Sequence, residues 1–466
     1  MDFRLTANSF DFFDTLVTRR ALRPQRIFED VERALGAQGF TAARVAAEHS
    51  LMQGGRSFDL HDIYRELVAR GKCTAEAAER LKAAEIDAEF DHAVPVVENL
   101  VRVREFDLVV SDMYLPTEIL RRLLQHVGLR VFVHIFVSNA GKHFGTIWPV
   151  LNERWLIQRH LGDNPQADVA SPGRHGIVAE HYVGTQPSQV ELLLEKNQLA
   201  ELAGIVRALR VRNPFAAGSP EFVLWTLYAQ CNLPLLCLAA NAVRQTQVGH
   251  GRHRVLFSAR DGNFLSEIFS LLFPAVPTGY LHVSRQTLWN DRDNVNALLD
   301  VHGGDDALVV DIASSGHSWY RFTEATQRNV DFFALVRIDL HEPVLTTEAE
   351  LAASRHLRFT SLLRNSELAA YSNAIEVLNT APYGSTQTLA RAGSWLVPVM
   401  APGNEIPPHL MNALTAAHSA ALDLVRHGRG RLHEEFPLQP PTALLQLLVQ
   451  TLSVQPVLVE LGKAFV

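Results

Sequence analysis

Ser9-Phe10-Asp11-Phe12-Phe13-Asp14-Thr15-Leu16-Val17 decides how the rest of the chain is read. A short apolar run ends at the Asp11 carboxylate, and Asp14 and Thr15 then open a turn. In an open α/β sheet, ligands bind at the carboxyl ends of the strands. A carboxylate placed there can attack phosphorus as a covalent nucleophile. The same residues equally suit a solvated strand end followed by a helix cap. Later segments choose between the two by supplying partners for Asp11 or failing to.

Immediately downstream, residues 21–104 read as helical, with segments at 24–35, 41–52, 60–70 and 74–90. Gly36, Gly39, Gly54, Gly55 and Gly71 punctuate them. Thr74 followed by Glu76 and Glu79 has the pattern of an N-cap with an acidic first turn. No strand pattern interrupts the block, which is expected to be a helical insert.

Strand and helix then alternate. Residues 106–110 (FDLVV) form a short apolar run suited to a buried parallel strand, ending at Ser111-Asp112. A helix over 116–126, a strand over 130–137 and a helix over 145–154 follow, with Pro149 in the first turn of that helix or bending it. Strands at 155–161, ending at Gly162-Asp163, and at 176–182 complete the unit, and 187–209 is helical. Such alternation predicts a parallel sheet with right-handed crossovers. A second α/β unit is expected over 215–340, with strands at 252–257, 279–283, 307–310 and 332–338. Residues 341–466 are mixed and then mostly helical, broken at Pro382-Tyr383-Gly384, Pro402-Gly403 and 437–441.

Bulk properties narrow the function. The 466 residues suit two to four domains. A net charge of -7 gives no basic footprint, so nucleic acid is not expected as a main partner. Three unpatterned cysteines point to a reducing compartment without a disulfide framework. No signal-like run opens the chain, and a cytoplasmic location is expected. Residues 222–240 are apolar, but Gln230, Asn232 and Pro234 favour a buried helix over a membrane span.

If the first unit's strands are parallel and adjacent, Asp11, Ser111, Lys142, Asp163 and Asp168 converge on one sheet edge. Mg²⁺ takes hard oxygen ligands, which Asp11 and Asp163 would supply. A transferring phosphoryl group needs donors and positive charge, which Ser111 and Lys142 would supply. Each residue also has an ordinary role open to it: helix cap for Ser111, solvated loop for Lys142, turn former for Asp163 and Asp168.

This order of motifs resembles the haloacid dehalogenase superfamily, whose members are mostly phosphatases. The first motif of that family is matched by Asp11-Phe12-Phe13-Asp14-Thr15-Leu16, and the second by LVVSDMYLP at 108–116. Lys142 matches the third, and GDNPQAD at 162–168 the fourth. The resemblance covers about residues 1–190 and implies a Rossmann-like core over 1–20 and 105–190, with 21–104 as a helical cap. It further implies Asp11 as nucleophile and metal ligand, and the Phe13 carbonyl and Asp163 as the other protein ligands. Asp168 would support the metal's water shell or hold Lys142, and Ser111 would bind the phosphoryl group. The family's general acid/base aspartate is replaced by Phe13, which moves no proton, and general acid–base help is worth about 10²–10⁴-fold. Asp14 substitutes for it, or hydrolysis is slow, or the site binds a phosphorylated ligand without turnover. Dehalogenase chemistry would not use the acidic fourth motif.

In the second unit, Val310-Asp311-Ile312-Ala313-Ser314-Ser315-Gly316-His317 resembles a phosphoribosyltransferase ribose-phosphate loop, with one acid where that loop has a pair. A Ser-rich helix start fits the same residues. Arg260, Asp261 and Arg285 complete a pocket there or form surface ion pairs. The twenty histidines, His160 among them, show no metal-ligand spacing and are expected mostly at the surface. The expected function is a Mg²⁺-dependent hydrolase acting on a small phosphate monoester. Alternatives are a phosphate-ligand binding protein, or a main activity in the C-terminal unit.

Overall fold

The computed structural model describes residues 4–54, 57–139, 141–339, 346–403, 405–439 and 441–463. Gly55, Pro440 and the expected boundary at 340/341 fall outside them. The described chain forms two compact α/β units: 1–192 with 210–216, and 193–209 with 217–466.

In the first unit, Leu5–Phe10 (β1) leads through the Asp11 turn to Val17–Arg19 (β2). Four helices follow: Arg26–Leu35 (α1), Phe40–Gln53 (α2), Leu60–Ala69 (α3) and Ala75–His92 (α4). Ala93–Pro95 (β3) then returns and pairs antiparallel with β2, Val17 opposite Pro95 and Arg19 opposite Ala93. The helical block is therefore closed by a two-stranded stem, contrary to the strand-free insert expected from the sequence. A three-residue strand is too short to display a period of two. Asp59 caps α3 through a reciprocal arrangement with Asp62, and Thr74 accepts from the Ala77 N–H at 3.2 Å to cap α4. Inside the block, the wholly buried Arg44 pairs bidentately with Glu85, which also accepts from Tyr64 Oη at 2.7 Å. Its guanidinium lies 4.5 Å from the Phe28 ring centroid, so the charge is both neutralised and packed.

The chain then supplies Leu108–Asp112 (β4), His134–Ser138 (β5), Trp155–Gly162 (β6) and Val178–His181 (β7). The order β5-β4-β1-β6-β7 is parallel throughout. Leu108, Val109 and Val110 are fully buried, each contributing about 1.5–3 kcal/mol of transfer free energy. The β4 strand begins two residues later than expected because Phe106 adopts a left-handed φ of 71° and Asp107 accepts from the N–H groups of Asn8 and Arg104.

The second unit is built on Arg254–Ser258 (β8), Thr278–Leu281 (β9), Ala307–Ser314 (β10), Val330–Arg337 (β11) and Leu357–Arg364 (β12). Their order β12-β11-β10-β8-β9 is again all parallel. The stretch after 340 left unplaced by sequence thus provides an edge strand. A hairpin of Thr386–Ala392 (β13) and Trp395–Met400 (β14) follows. The apolar stretch Pro220–Gly249 is long enough to cross a membrane, but 78% of its most apolar window is buried within the structure.

Candidate active site at the carboxyl end of the first sheet

Asp11, Asp163 and Asp168 come together at the carboxyl ends of β1 and β6, offering three carboxylate oxygens within 4.8 Å of one another. Asp11 is fixed by its own N–H, which donates to Leu161 O at 2.8 Å, and by the buried Phe12 that follows it. Asp168 is drawn in by Gly162. A Cβ on that glycine would stand 2.3 Å from Asp168 Cγ, so only glycine lets the carboxylate fold back over the strand end. The Asn164 N–H then donates to Asp168 Oδ2 at 2.9 Å.

Lys142, on the short helix Gly141–Phe144, is buried between these groups. Its ammonium donates to Asp11, to Val110 O at 3.2 Å, and pairs with Asp168 Oδ1 at 2.7 Å. Two residues not expected from sequence hold this arrangement. Asp112 accepts from the N–H groups of Lys142 and His143 at 2.9 and 2.7 Å, and from Ser138 Oγ at 2.8 Å. It clamps the turn that presents Lys142. The fully buried His160 bridges Asp168 Oδ1 at 3.0 Å and Ser9 Oγ at 2.8 Å, which corrects its expected place at the surface. Ser9 and His160 stand in register across β1 and β6, a pairing that no local sequence signal announces.

The Lys142 ammonium contacts two of the three carboxylates and lowers the pKa of the third, Asp163, through its charge alone. Burial pushes the Asp11 carboxyl up to about 8, against the pull of Lys142 and helped by Asp168 and Asp163. Burial also raises Asp163 to about 6, with Asp14 and Asp168 adding to it. Asp168 resists burial because the His160 hydrogen bond and the Lys142 charge hold it down to about 2. Lys142 stays charged: burial opposes it, but Asp11 and Asp168 raise its pKa. The negative charge left over and the all-oxygen donor set fit a hard divalent cation such as Mg²⁺.

The other predicted residues are distributed around this group. Ser111 is buried at the end of β4, one step beyond the level of Asp11, and makes no hydrogen bond to the carboxylates. Phe13 is half-buried, with the Arg19 guanidinium 3.8 Å from its ring centroid and Arg19 in turn gripped by Glu89. Asp14 adopts a left-handed φ of 57°, accepts from Thr18 Oγ1, and lies close enough to raise Asp163. It therefore stands on the rim of the acidic group.

In the second unit, β10 continues through Asp311 to Ser314, so Asp311 does not end the strand. Ser314 and Ser315 hydroxyls accept from the N–H groups of Gly316 and His317, which occupies two of the donors a phosphate-cradling loop would offer. Asp261 is half-buried and has no ion-pair partner among the described residues, whereas Arg260 pairs with Glu405. No protein-family model matches the chain, and no curated protein matches it.

Proposed function

We propose that the first unit is a Mg²⁺-dependent hydrolase of small phosphate monoesters, with Asp11 as its nucleophile. The observation that carries this is the meeting of Asp11, Asp163 and Asp168 around the buried Lys142. The order of motifs resembles the haloacid dehalogenase superfamily, and the α1–α4 block takes the place of a cap. Asp11, Asp163 and the Phe13 carbonyl would hold the ion, which supplies positive charge for the phosphate oxygens when bound.

The Asp11 carboxylate attacks phosphorus, the P–O bond to the leaving group breaks, and an aspartyl phosphate forms. Water then attacks that phosphorus, releasing phosphate and restoring the carboxylate. Lys142 keeps Asp11 oriented and its charge balanced. Ser111 is assigned to the phosphoryl oxygens. The departing oxygen needs a proton that Phe13 cannot give, so Asp14 or solvent supplies it, and esters of acidic alcohols and phenols are favoured.

A second reading, binding of a phosphorylated ligand without turnover, is favoured by the Phe13 substitution alone. Hydrolysis of p-nitrophenyl phosphate with Mg²⁺ tests the choice. Turnover that disappears in Asp11→Asn supports the hydrolase. Turnover that survives this change sinks it, and no turnover by the parent protein leaves the binding role.

A further inference from the structure

We propose that the second unit carries a separate binding site for a hydroxyl-rich ligand of the sugar type, formed by Asp261, Asp311 and Glu376 with Arg260 and Arg285. Sheet topology fixes the place. The chain leaves β8 for β9 on one side, while β10 lies on the other. A crevice opens at the carboxyl ends of strands where the winding reverses in this way. Arg260 and Asp261 follow β8, Asp311 lies on β10, and Glu376 comes from the helix Ala374–Asn379.

The cluster is left short of donors. Asp311 receives only the N–H of Ile312, at 2.9 Å, and no side-chain donor among the described residues reaches Asp311 or Glu376. Arg260 is paired with Glu405. Burial raises all three acids: Asp261 to about 6, Glu376 to about 9 with Asp261 and Asp311 adding to it, and Asp311 well above its usual value with Asp261 adding to it.

A second observation is independent of the acids. Ser258 is 2% exposed, and its Oγ has no hydrogen-bond partner among the described residues. Phe257 pairs with Val310, so Ser258 and Asp311 stand side by side on one sheet face. Tyr371 Oη is likewise buried and unpartnered, with Glu376, Asp261 and Asp311 around it. A buried polar group without a partner costs about 1–3 kcal/mol, so these hydroxyls and carboxyls together call for a ligand that both donates and accepts.

Three ligand classes could satisfy these acids. A divalent cation is disfavoured because, among the described residues, Asp11, Asp163 and Asp168 form the one group with three oxygens near enough to share an ion. An ammonium would add to the charges of Arg260 and Arg285, which already bear on Glu376. Vicinal hydroxyls fit, since each donates to a carboxylate and accepts from a serine, a tyrosine or a protonated acid. The Tyr280 hydroxyl, which donates to Arg260 O at 3.1 Å, lies near Asp261 and Asp311.

The test is saturation-transfer NMR and calorimetry on the full chain with D-glucose, D-ribose, D-mannose and myo-inositol. At least one is expected to saturate below about 10 mM. Asp311→Asn and Glu376→Gln should each weaken it by about two- to tenfold, because a neutral carboxyl that donates and accepts gives way to an amide of different donor geometry. Ser258→Ala should also weaken it by about two- to tenfold. Asp11→Asn should bind as the parent does. The proposal is overturned if none of the four saturates, if Mg²⁺ or ethylenediamine occupies the cluster in their place, or if the three second-unit variants, folded by circular dichroism, bind unchanged. Loss of binding in Asp11→Asn would place the sugar in the first unit and also overturn it.

Discussion

Lys142 Nζ lies 2.7 Å from Asp168 Oδ1 and donates to Asp11 as well, so one buried ammonium bridges two carboxylates that approach from different strands. Removing it strands both. Lys142→Met is expected to cost about 3–5 kcal/mol, because an unpaired buried charge is worse than no charge. Thermal unfolding in the absence of divalent ions reads the loss. Addition of Mg²⁺ should restore part of it, since a cation at the carboxylates replaces the missing charge.

The same surplus of negative charge predicts a direct metal signature. Mg²⁺ should raise the unfolding temperature of the parent protein, as any ligand specific to the native state does. Asp163→Asn should abolish most of that rise while leaving the ion-free protein at least as stable, because one half-buried and repelled carboxylate has been removed. An equal rise in the variant would show that the ion binds elsewhere.

Asp112 touches neither phosphate nor ion in the proposed site, yet it holds the turn carrying Lys142. Asp112→Ala should cost about 1–2 kcal/mol as a lost cap. Turnover should fall through kcat more than through KM, with Asp112→Asn recovering part of it. Steady-state kinetics on p-nitrophenyl phosphate separates this from simple loss of folded protein.

Phe13→Asp restores a proton carrier. Hydrolysis of alkyl phosphates should rise by about 10²-fold or more, the usual worth of general acid help. The p-nitrophenyl ester should gain much less, because its leaving group departs without a proton. A uniform gain across both substrates would argue for a change in binding instead.

Glu376 gives the second unit a pH dependence of defined sign. Its folded carboxyl is raised to about 9 from 4.5, by burial and by the charges of Asp261 and Asp311, against Arg260 and Arg285. Tyr371 faces the same group. Between those values the native state holds a proton that the unfolded chain has released, so stability falls as pH rises. Glu376→Gln should therefore match the parent near pH 5 and exceed it near pH 8–9, by about a few degrees in Tm. Equal melting at both pH values would remove the basis for a donor-starved cluster.

Part of the first site was legible because β4 is buried along nearly its whole length. The run from Leu108 to Val110 announces a parallel strand by composition alone, and Gly162-Asp163 marks the next strand's end. His160 was not legible, because its role depends on Ser9 and Asp168 arriving on neighbouring segments. β12 was missed for another reason. Only Leu357 and Leu363 in it are fully buried, so LRFTSLLR shows neither an apolar run nor a clean alternation. The reach of β10 past Asp311 was equally hidden, since Ser314 looks like turn chemistry until its neighbour Arg337 is in register.

The stem formed by β2 and β3 has a consequence for how the first unit can change. Chain leaves the sheet at Val17 and comes back at Pro95, directly opposite. Everything between hangs from a doorway one strand-pair wide, and the parallel sheet never has to be rethreaded when that interval is altered. The four-helix segment is therefore an exchangeable cassette: lengthening, trimming or grafting it would refit what reaches Asp11 while the floor beneath stays as it is.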